Sequence, residues 1–187
     1  FDFTEKFDEV FPNVSNIKID KGVHGSENVD EWVRKSYHGG WCYVVKGKEG
    51  YIHENGLTYD VNSLYPSMMH SMSGNRYPYG LPHFWQGNFI PETAIGEDRY
   101  FFIRVKTRFE IKDGFLPTIQ IKNNLLYDST EWLTTSDWYD KRDKKYYRYT
   151  VDNNGNIIEA RPEITFTMTD YRLFREHYNI FDFEILD

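Results

Sequence analysis

The stretch from Phe101 to Lys112 constrains the fold more than any other part of the sequence, because largely apolar and basic residues alternate along it. A period of two places successive side chains on opposite faces of a β-strand. The predicted inner face carries Ile103, Val105, Thr107, Phe109 and Ile111, and the predicted basic face carries Arg104, Lys106, Arg108 and Lys112. The sequence therefore predicts a half-buried strand, within an α+β chain in which β-structure dominates.

Turn signals place further strands along the chain. Asp113-Gly114 is a turn signal, so we expect Leu116–Lys122 to return as the partner of the long strand. The run Asn153-Asn154-Gly155-Asn156 predicts another hairpin. The other predicted strands are Trp41–Val45, Leu57–Asn62, Tyr146–Val151, Ile157–Arg161 and Phe181–Leu186.

Capping residues predict three short helices. The helices and their caps are Asn28 for a helix through Ser36, Ser63 for a helix to about Met72, and Thr169 for a helix from Asp170 to Tyr178. Asn28 is strengthened as a cap by Glu31 three positions later, which completes a capping box. The methionines of the middle helix, Met68, Met69 and Met72, are expected to pack it against the sheet.

Composition excludes several classes of protein. No run approaches the roughly 18 consecutive apolar residues of a membrane-spanning helix. Phe, Tyr and Trp make up 18% of the residues, which is enough bulk for a core and argues against a disordered chain. Cys42 is the only cysteine, so a disulfide framework and a cysteine zinc site are excluded.

The ends and the irregular middle of the sequence suggest how the chain is organised. The first residue is Phe1, not Met, and no signal-peptide pattern follows it, so we expect the chain to be cut from a longer one. Gly and Pro residues beyond the middle helix place a boundary near Met72 to Asn75. Residues 1–72 and 73–187 are therefore expected to form two parts.

The segment from Thr58 to Ser67 is the sharpest chemical feature. A carboxylate, Asp60, stands at the end of a predicted strand, directly before the start of a predicted helix. Asp60 and the backbone carbonyl of Val61 offer oxygen ligands suited to Mg²⁺. The amides of the first helical turn, at Ser63, Leu64 and Tyr65, form an anion site. The same spacing also occurs in ordinary folds with no ligand.

Four segments resemble one enzyme family. Residues 60–67 read Asp-Val-Asn-Ser-Leu-Tyr-Pro-Ser and are similar to the first palm motif of family B DNA polymerases, Asp-x-x-Ser-Leu-Tyr-Pro-Ser. Tyr37-His38-Gly39-Gly40 resembles the Tyr-x-Gly-Gly segment of the protein-primed subfamily of phages and linear plasmids. The stretch from Asp113 to Lys122 and Glu176-His177-Tyr178 resemble the insertion, called the first terminal-protein region, that this subfamily carries after the motif.

The resemblance implies a fold and a role for each matching residue. Residues 1–72 would be part of a polymerase palm, and residues 73–187 a β-rich insertion subdomain. Asp60 and the Val61 carbonyl would bind Mg²⁺ in a two-metal site, and Ser63, Leu64 and Tyr65 would hold the incoming nucleotide. Tyr65 would exclude ribonucleotides by collision with the 2′-hydroxyl. Tyr37, Gly39 and Gly40 would contact the template strand.

The resemblance also implies partners and a place in the cell. The partners would be primer and template DNA, a dNTP, the priming terminal protein and the remainder of the polymerase chain. The compartment would be the host cytoplasm, since such enzymes serve phages or mobile elements. The basic face, extended by Lys122, would contact the priming protein, since the insertion of this subfamily contacts that protein and upstream DNA. A solvated strand face is the alternative for these cations.

Other family motifs are missing from the sequence. It contains no Tyr-x-Asp-Thr-Asp string for the second palm carboxylates and no Asn-Ser-x-Tyr-Gly finger motif. We therefore expect that this chain alone does not polymerise nucleotides. The rival hypothesis is a stand-alone module that uses a polymerase-derived surface only to bind protein or DNA. An aromatic-rich carbohydrate-binding domain is disfavoured, because it leaves the palm motif unexplained.

Overall fold

The computed structural model describes residues 3–19, 27–45, 47–121 and 132–187. Its helices are α1 (Phe3–Val10), α2 (Val29–Arg34), α3 (Leu64–Met69) and α4 (Met168–His177). Its strands are β1 (Phe102–Ile111), β2 (Ile119–Gln120), β3 (Trp132–Leu133), β4 (Trp138–Asp140), β5 (Lys145–Tyr147), β6 (Tyr149–Val151), β7 (Ile157–Glu159), β8 (Glu163–Thr167) and β9 (Tyr178–Ile185). The chain is thus a mixture of helices and small antiparallel sheets.

The main sheet has the strand order β8-β1-β9, with β1 in the centre. The alternation predicted for β1 is confirmed, since Ile103, Val105 and Phe109 are buried while the basic residues between them are only partly covered. The register shifts between Lys106 and Arg108. The intervening Thr107 is fully buried, and its hydroxyl donates to the Phe181 carbonyl at 3.0 Å.

Helix α4 covers the apolar face of this sheet. Phe174 is fully buried, with its ring 5.8 Å from that of Phe109 and 5.0 Å from that of Phe166. The helix begins one residue after its cap, Thr167, whose hydroxyl accepts from the Asp170 amide at 3.1 Å. The predicted cap, Thr169, is therefore wrong by two positions.

Hydrogen bonds of the Tyr178 hydroxyl connect a second, two-stranded sheet to this core. Its hydroxyl accepts from the amide of Thr118 at 2.8 Å and donates to the carbonyl of Leu133 at 2.8 Å. Burial raises the pKa of this hydroxyl, which therefore stays protonated and able to donate. The bonded residues flank or belong to β2 and β3, which pair with each other.

The prediction that Leu116–Lys122 pairs with β1 in a hairpin is wrong. Within Leu116–Lys122 the structure has only the short β2, and β2 pairs with β3 instead of β1. Both edges of β1 are taken by β8 and β9, which come from more than 50 residues further along the chain. Lys122 lies outside the described residues. The second predicted hairpin is confirmed as the β6–β7 pair, but the first residues of its predicted strand, Tyr146 and Tyr147, belong to β5, which pairs with β4.

The N-terminal half forms only a small core. Ile19, Val29 and Trp32 are buried together, and Phe102 of β1 packs against them. The predicted capping box is confirmed, since the Asn28 side chain accepts from the Glu31 amide at 2.9 Å and the Glu31 carboxylate accepts from the Asn28 amide at 3.0 Å.

The segment from Trp41 to Phe84 differs most from its predicted structure. Trp41–Val45 and Leu57–Asn62 are not strands, and no described segment pairs with them as a ladder. Their apolar residues are largely exposed, with Leu57 and Tyr59 at 79% and 87%. Cys42 is exposed as well. Trp41 does contact the second sheet, since its indole N–H donates to the Pro117 carbonyl at 2.9 Å and its ring lies 6.4 Å from that of Trp132.

Candidate functional site

Asp60 lies in an irregular, exposed stretch four residues before α3. Its side chain is exposed, as are those of Tyr59 and Val61 on either side. No described side chain forms an ion pair or hydrogen bond with the carboxylate. Asp60 is therefore open to a ligand that approaches from outside this chain, and it is not buried in an apolar interior.

Ser63 adopts an uncommon backbone conformation at the start of α3. Its φ of 51° and ψ of 47° place it in the left-handed region, and its side chain makes no capping hydrogen bond. The predicted side-chain cap is therefore wrong, although the predicted position is right. A non-glycine residue in this region costs about 1–2 kcal/mol, and such strain is frequent at functional sites.

The first turn of α3 leaves backbone amides available for a ligand. The helical ladder begins with the Ser67 amide, which donates to the Ser63 carbonyl at 2.9 Å. The amides of Leu64 and Tyr65 precede this bond, so no carbonyl within the helix faces them. The Tyr65 side chain is 74% exposed. The helix ends at Met69, and Met68, Met69 and Met72 are exposed instead of packed on the sheet.

Tyr37 and Gly39 line an open cleft of about 600 Å³ that follows the end of α2. The opposite wall of the cleft comes from the main sheet and the start of α4, through Phe102, Thr167 and Asp170. None of the residues that line it comes from the Asp60–Tyr65 segment. The two groups of predicted site residues are therefore separate features of this structure.

The described structure leaves space for a side chain at Gly40. A Cβ atom added to it would meet nothing within 4 Å. The described structure therefore gives no internal packing reason for glycine at this position.

Sequence reasoning missed two charged residues of the cleft, Arg34 and Asp30. They form an ion pair of 2.7 Å between positions i and i+4 of the helical segment. The hydrogen bond from Arg34 to Asp30 raises the pKa of the guanidinium. The same spacing is visible in the sequence and signals a helical ion pair, but nothing in it indicates that the pair borders a cleft.

The basic face of β1 is largely neutralised by residues of the same chain. Arg104 pairs with Asp187 at 3.0 Å, and both side chains are nearly buried. Arg108 pairs with Asp182 at 3.0 Å. Lys112 donates from Nζ to the Glu176 carbonyl at 2.7 Å, at the C-terminal end of α4, where a cation is favoured.

Lys106 completes this face of the sheet. In the strand register it lies opposite Glu163 on one side and Glu184 on the other, so acidic residues flank it. The face therefore alternates in charge across its strands. Its role in binding a partner stays a prediction.

Among the helices in the described ranges, none is long and apolar enough to cross a membrane. The described side chains include no group of three or more His, Cys, Asp or Glu residues that would hold a metal ion.

The comparisons with known proteins identify the family. The model of a family described as DNA polymerase type B, organellar and viral, matches residues 6–186. The chain belongs to this family. Among curated members, it is 33% identical to the DNA polymerase of Bacillus phage Nf and 31% identical to that of Bacillus phage phi29, over 98% of its own length in both cases.

These type B polymerases are much longer than the matched region. The chain spans 26% of the phage Nf polymerase and 25% of the phage phi29 polymerase. Its fold is similar to the corresponding quarter of phi29 DNA polymerase in a complex with primer-template DNA and incoming nucleotide substrates, with a TM-score of 0.60 and 26% identity over 98% of the chain. The family predicted from the four sequence segments is confirmed.

Proposed function

We propose that this chain supplies one metal-binding carboxylate and the nucleotide-binding helix start of a protein-primed DNA polymerase. The observation that carries the proposal is the segment from Asp60 to Ser67, in which an exposed carboxylate stands four residues before the first turn of α3. Residues 1–72 would belong to the palm and residues 73–187 to the insertion. The polymerase would act in the cytoplasm of a phage host.

The oxygen atoms of Asp60 and Val61 are of the kind that commonly bind Mg²⁺. Proteins hold Mg²⁺ through one or two carboxylates together with substrate phosphates, and they rarely build a complete cage for it. Asp60 and the carbonyl of Val61 would provide two oxygen ligands. When bound, Mg²⁺ neutralises phosphate charge and stabilises the in-line transition state in which a primer hydroxyl attacks the α-phosphate of a dNTP and pyrophosphate leaves.

The residues after Asp60 would position the nucleotide. The amides of Ser63, Leu64 and Tyr65 would donate hydrogen bonds to the triphosphate at the start of α3. The Tyr65 ring would lie beneath the sugar and collide with a 2′-hydroxyl, so ribonucleotides would be excluded by repulsion. Tyr65→Val is then expected to raise ribonucleotide incorporation about tenfold or more.

Tyr37, Gly39 and Gly40 would contact the template strand. Tyr37 and Gly39 border an open cleft, and the empty space around Gly40 leaves room for a close backbone approach by a ligand. The basic face of β1 would contact the priming terminal protein by exchanging some of its internal ion pairs for contacts with that partner. Lys106, which no described side chain binds, would be its first point of contact.

Asp60→Asn, introduced into the polymerase that contains this chain, tests the proposal. The change keeps the size of the side chain and removes the metal ligand, so dNTP incorporation is expected to fall by a factor on the order of 10³. Asp8→Asn on the exposed face of α1 is the matched control and should leave the rate unchanged. Equal rates for the two variants would remove Asp60 from the metal site and favour a non-catalytic binding module.

The isolated chain offers a second test. Purified on its own with primer-template DNA, Mg²⁺ and dNTPs, it is expected to show no template-dependent incorporation, because a lone carboxylate does not complete a two-metal site. Incorporation by this chain would contradict the proposed division of the active site.

A further inference from the structure

The β4–β5 hairpin combines exposed aromatic rings with a concentration of positive charge. Between Trp138 and Tyr149 the sequence has five basic residues and two acidic ones, whereas the whole chain has a net charge of −7. The hairpin places Tyr139 directly opposite Tyr146. Their ring centroids are 4.9 Å apart, and the side chains are 40% and 61% exposed.

The fold itself uses only part of this surface. On the other face of the hairpin, Trp138 lies opposite Tyr147, and the two help to line a cleft with residues of β6 and β7. That face therefore borders a cleft formed within the chain. The Tyr139–Tyr146 pair does not line this cleft, and both rings are partly exposed to solvent.

Of the cations at the tip of the hairpin, Arg142 pairs with a carboxylate, whereas in the described part of the chain Lys144 and Lys145 do not. Arg142 makes two hydrogen bonds to the Asp140 carboxylate, at 3.2 and 2.8 Å, and this pairing lowers the pKa of Asp140. The Lys144 and Lys145 side chains are exposed, and within the described ranges no acidic group binds them. Lys144 sits at the turn with a φ of 60°, two residues from Tyr146.

We propose that the Tyr139–Tyr146 pair and Lys144 form a binding site for single-stranded DNA. Adjacent aromatic faces and cations are the two components of sites that bind single strands without base specificity, since the rings stack on bases and the cations contact phosphates. An acidic protein would pair with the lysines but would leave the exposed rings without a role. The site is distinct from Asp60 and the cleft at Tyr37, and it requires neither metal nor nucleotide.

The site is tested by fluorescence anisotropy of a labelled oligothymidylate with this chain, in the absence of divalent ions. Tyr146→Ile keeps a side chain suited to a strand but removes the π-face, and it is expected to weaken binding about tenfold. Tyr146→Phe keeps the ring and should bind as the wild type does. Equal affinity of the Ile and Phe variants would overturn the proposal.

Lys144→Asn provides an independent test that does not endanger the fold, because asparagine tolerates the left-handed conformation of this turn. Loss of one phosphate contact should reduce the slope of log affinity against log salt by about 0.7. Lys48→Asn, on another exposed loop, is the matched control and should leave the slope unchanged.

A competitor separates DNA from protein as the partner. Polyglutamate represents an acidic protein in this test. The proposal is wrong if polyglutamate binding depends on Lys144 but not on the Tyr146 ring, while the oligonucleotide affinity depends on neither residue. The hairpin would then be a site for an acidic protein. Neither result depends on the role of Asp60, so the proposed polymerase function stands or falls separately.

Discussion

The sheet around β1 and the segment around α3 use similar residues in opposite ways. Phe109, Phe166 and Phe174 are buried against one another in the first region. Tyr59, Tyr65 and Met69 are exposed in the second. Both regions contain apolar residues at strand or helix spacing, but of the two, as far as the structure describes them, only the first buries its apolar side chains against one another. The comparison shows that the residues with the strongest chemical signal are those that the chain's own core supports least.

This difference agrees with a shared active site. In the proposed polymerase, the segment around Asp60 would be covered by the remainder of the enzyme, and its apolar side chains would pack there. The sheet region would keep its structure whether or not the remainder is present. Substitutions in the two regions should therefore have different effects on the stability of this chain.

The largest difference in stability between the two regions is expected when a buried ring is removed from one and an exposed side chain from the other. Phe174→Ala should lower the free energy of unfolding by about 3–5 kcal/mol, because it leaves a cavity between α4 and the sheet. Met69→Ala on the exposed helix α3 should change it by less than about 0.5 kcal/mol. Urea denaturation followed by circular dichroism measures both; similar losses would show that the α3 segment packs as tightly as the sheet.

A smaller difference in stability is expected when a tyrosine hydroxyl is removed from each region. Tyr178→Phe should cost about 1–3 kcal/mol, because the buried amide of Ile119 and its neighbours lose their hydrogen-bond partner. Tyr59→Phe removes a hydroxyl from an 87% exposed side chain and should have almost no effect. If Tyr178→Phe also leaves the urea midpoint unchanged, the hydroxyl does not fasten β2 and β3 to the core.

The smallest difference is expected at the two helix starts. Thr167→Ala removes the cap of α4 and should cost about 1 kcal/mol. Ser63→Ala removes a side chain that makes no capping bond, so it should stay within about 0.5 kcal/mol of the wild type. Thermal melts of the two variants measure this contrast, and a reversed order would contradict the cap assignments.

Local patterns in the sequence predicted those elements whose signals are also local. The alternation of β1, the capping box at Asn28 and the turn at Gly155 are each set by neighbouring residues, and each prediction is confirmed. The prediction for the cap of α4 is wrong, because Asp170 stands three positions after Thr167, as in a capping box, but only one position after Thr169.

Pairing between distant strands could not be predicted in this way. The partners of β1 are β8 and β9, far along the chain, whereas a turn signal at Gly114 favours the next segment. The strands predicted near Trp41 and Leu57 failed for a related reason, since a strand needs a neighbour and a core to face. The motif from Asp60 to Ser67 predicted the family, but its spacing did not indicate the left-handed Ser63 or the exposed Tyr65.

Amide hydrogen exchange of the isolated chain, followed by mass spectrometry, tests the central contrast most directly. The account predicts strong protection for peptides from Val105 to Phe109, whose amides lie in the centre of a packed sheet. It predicts fast exchange for peptides that cover Leu57 to Tyr65. Equal, strong protection of both regions would contradict it, because the proposed metal and nucleotide residues would then belong to a core that this chain completes alone.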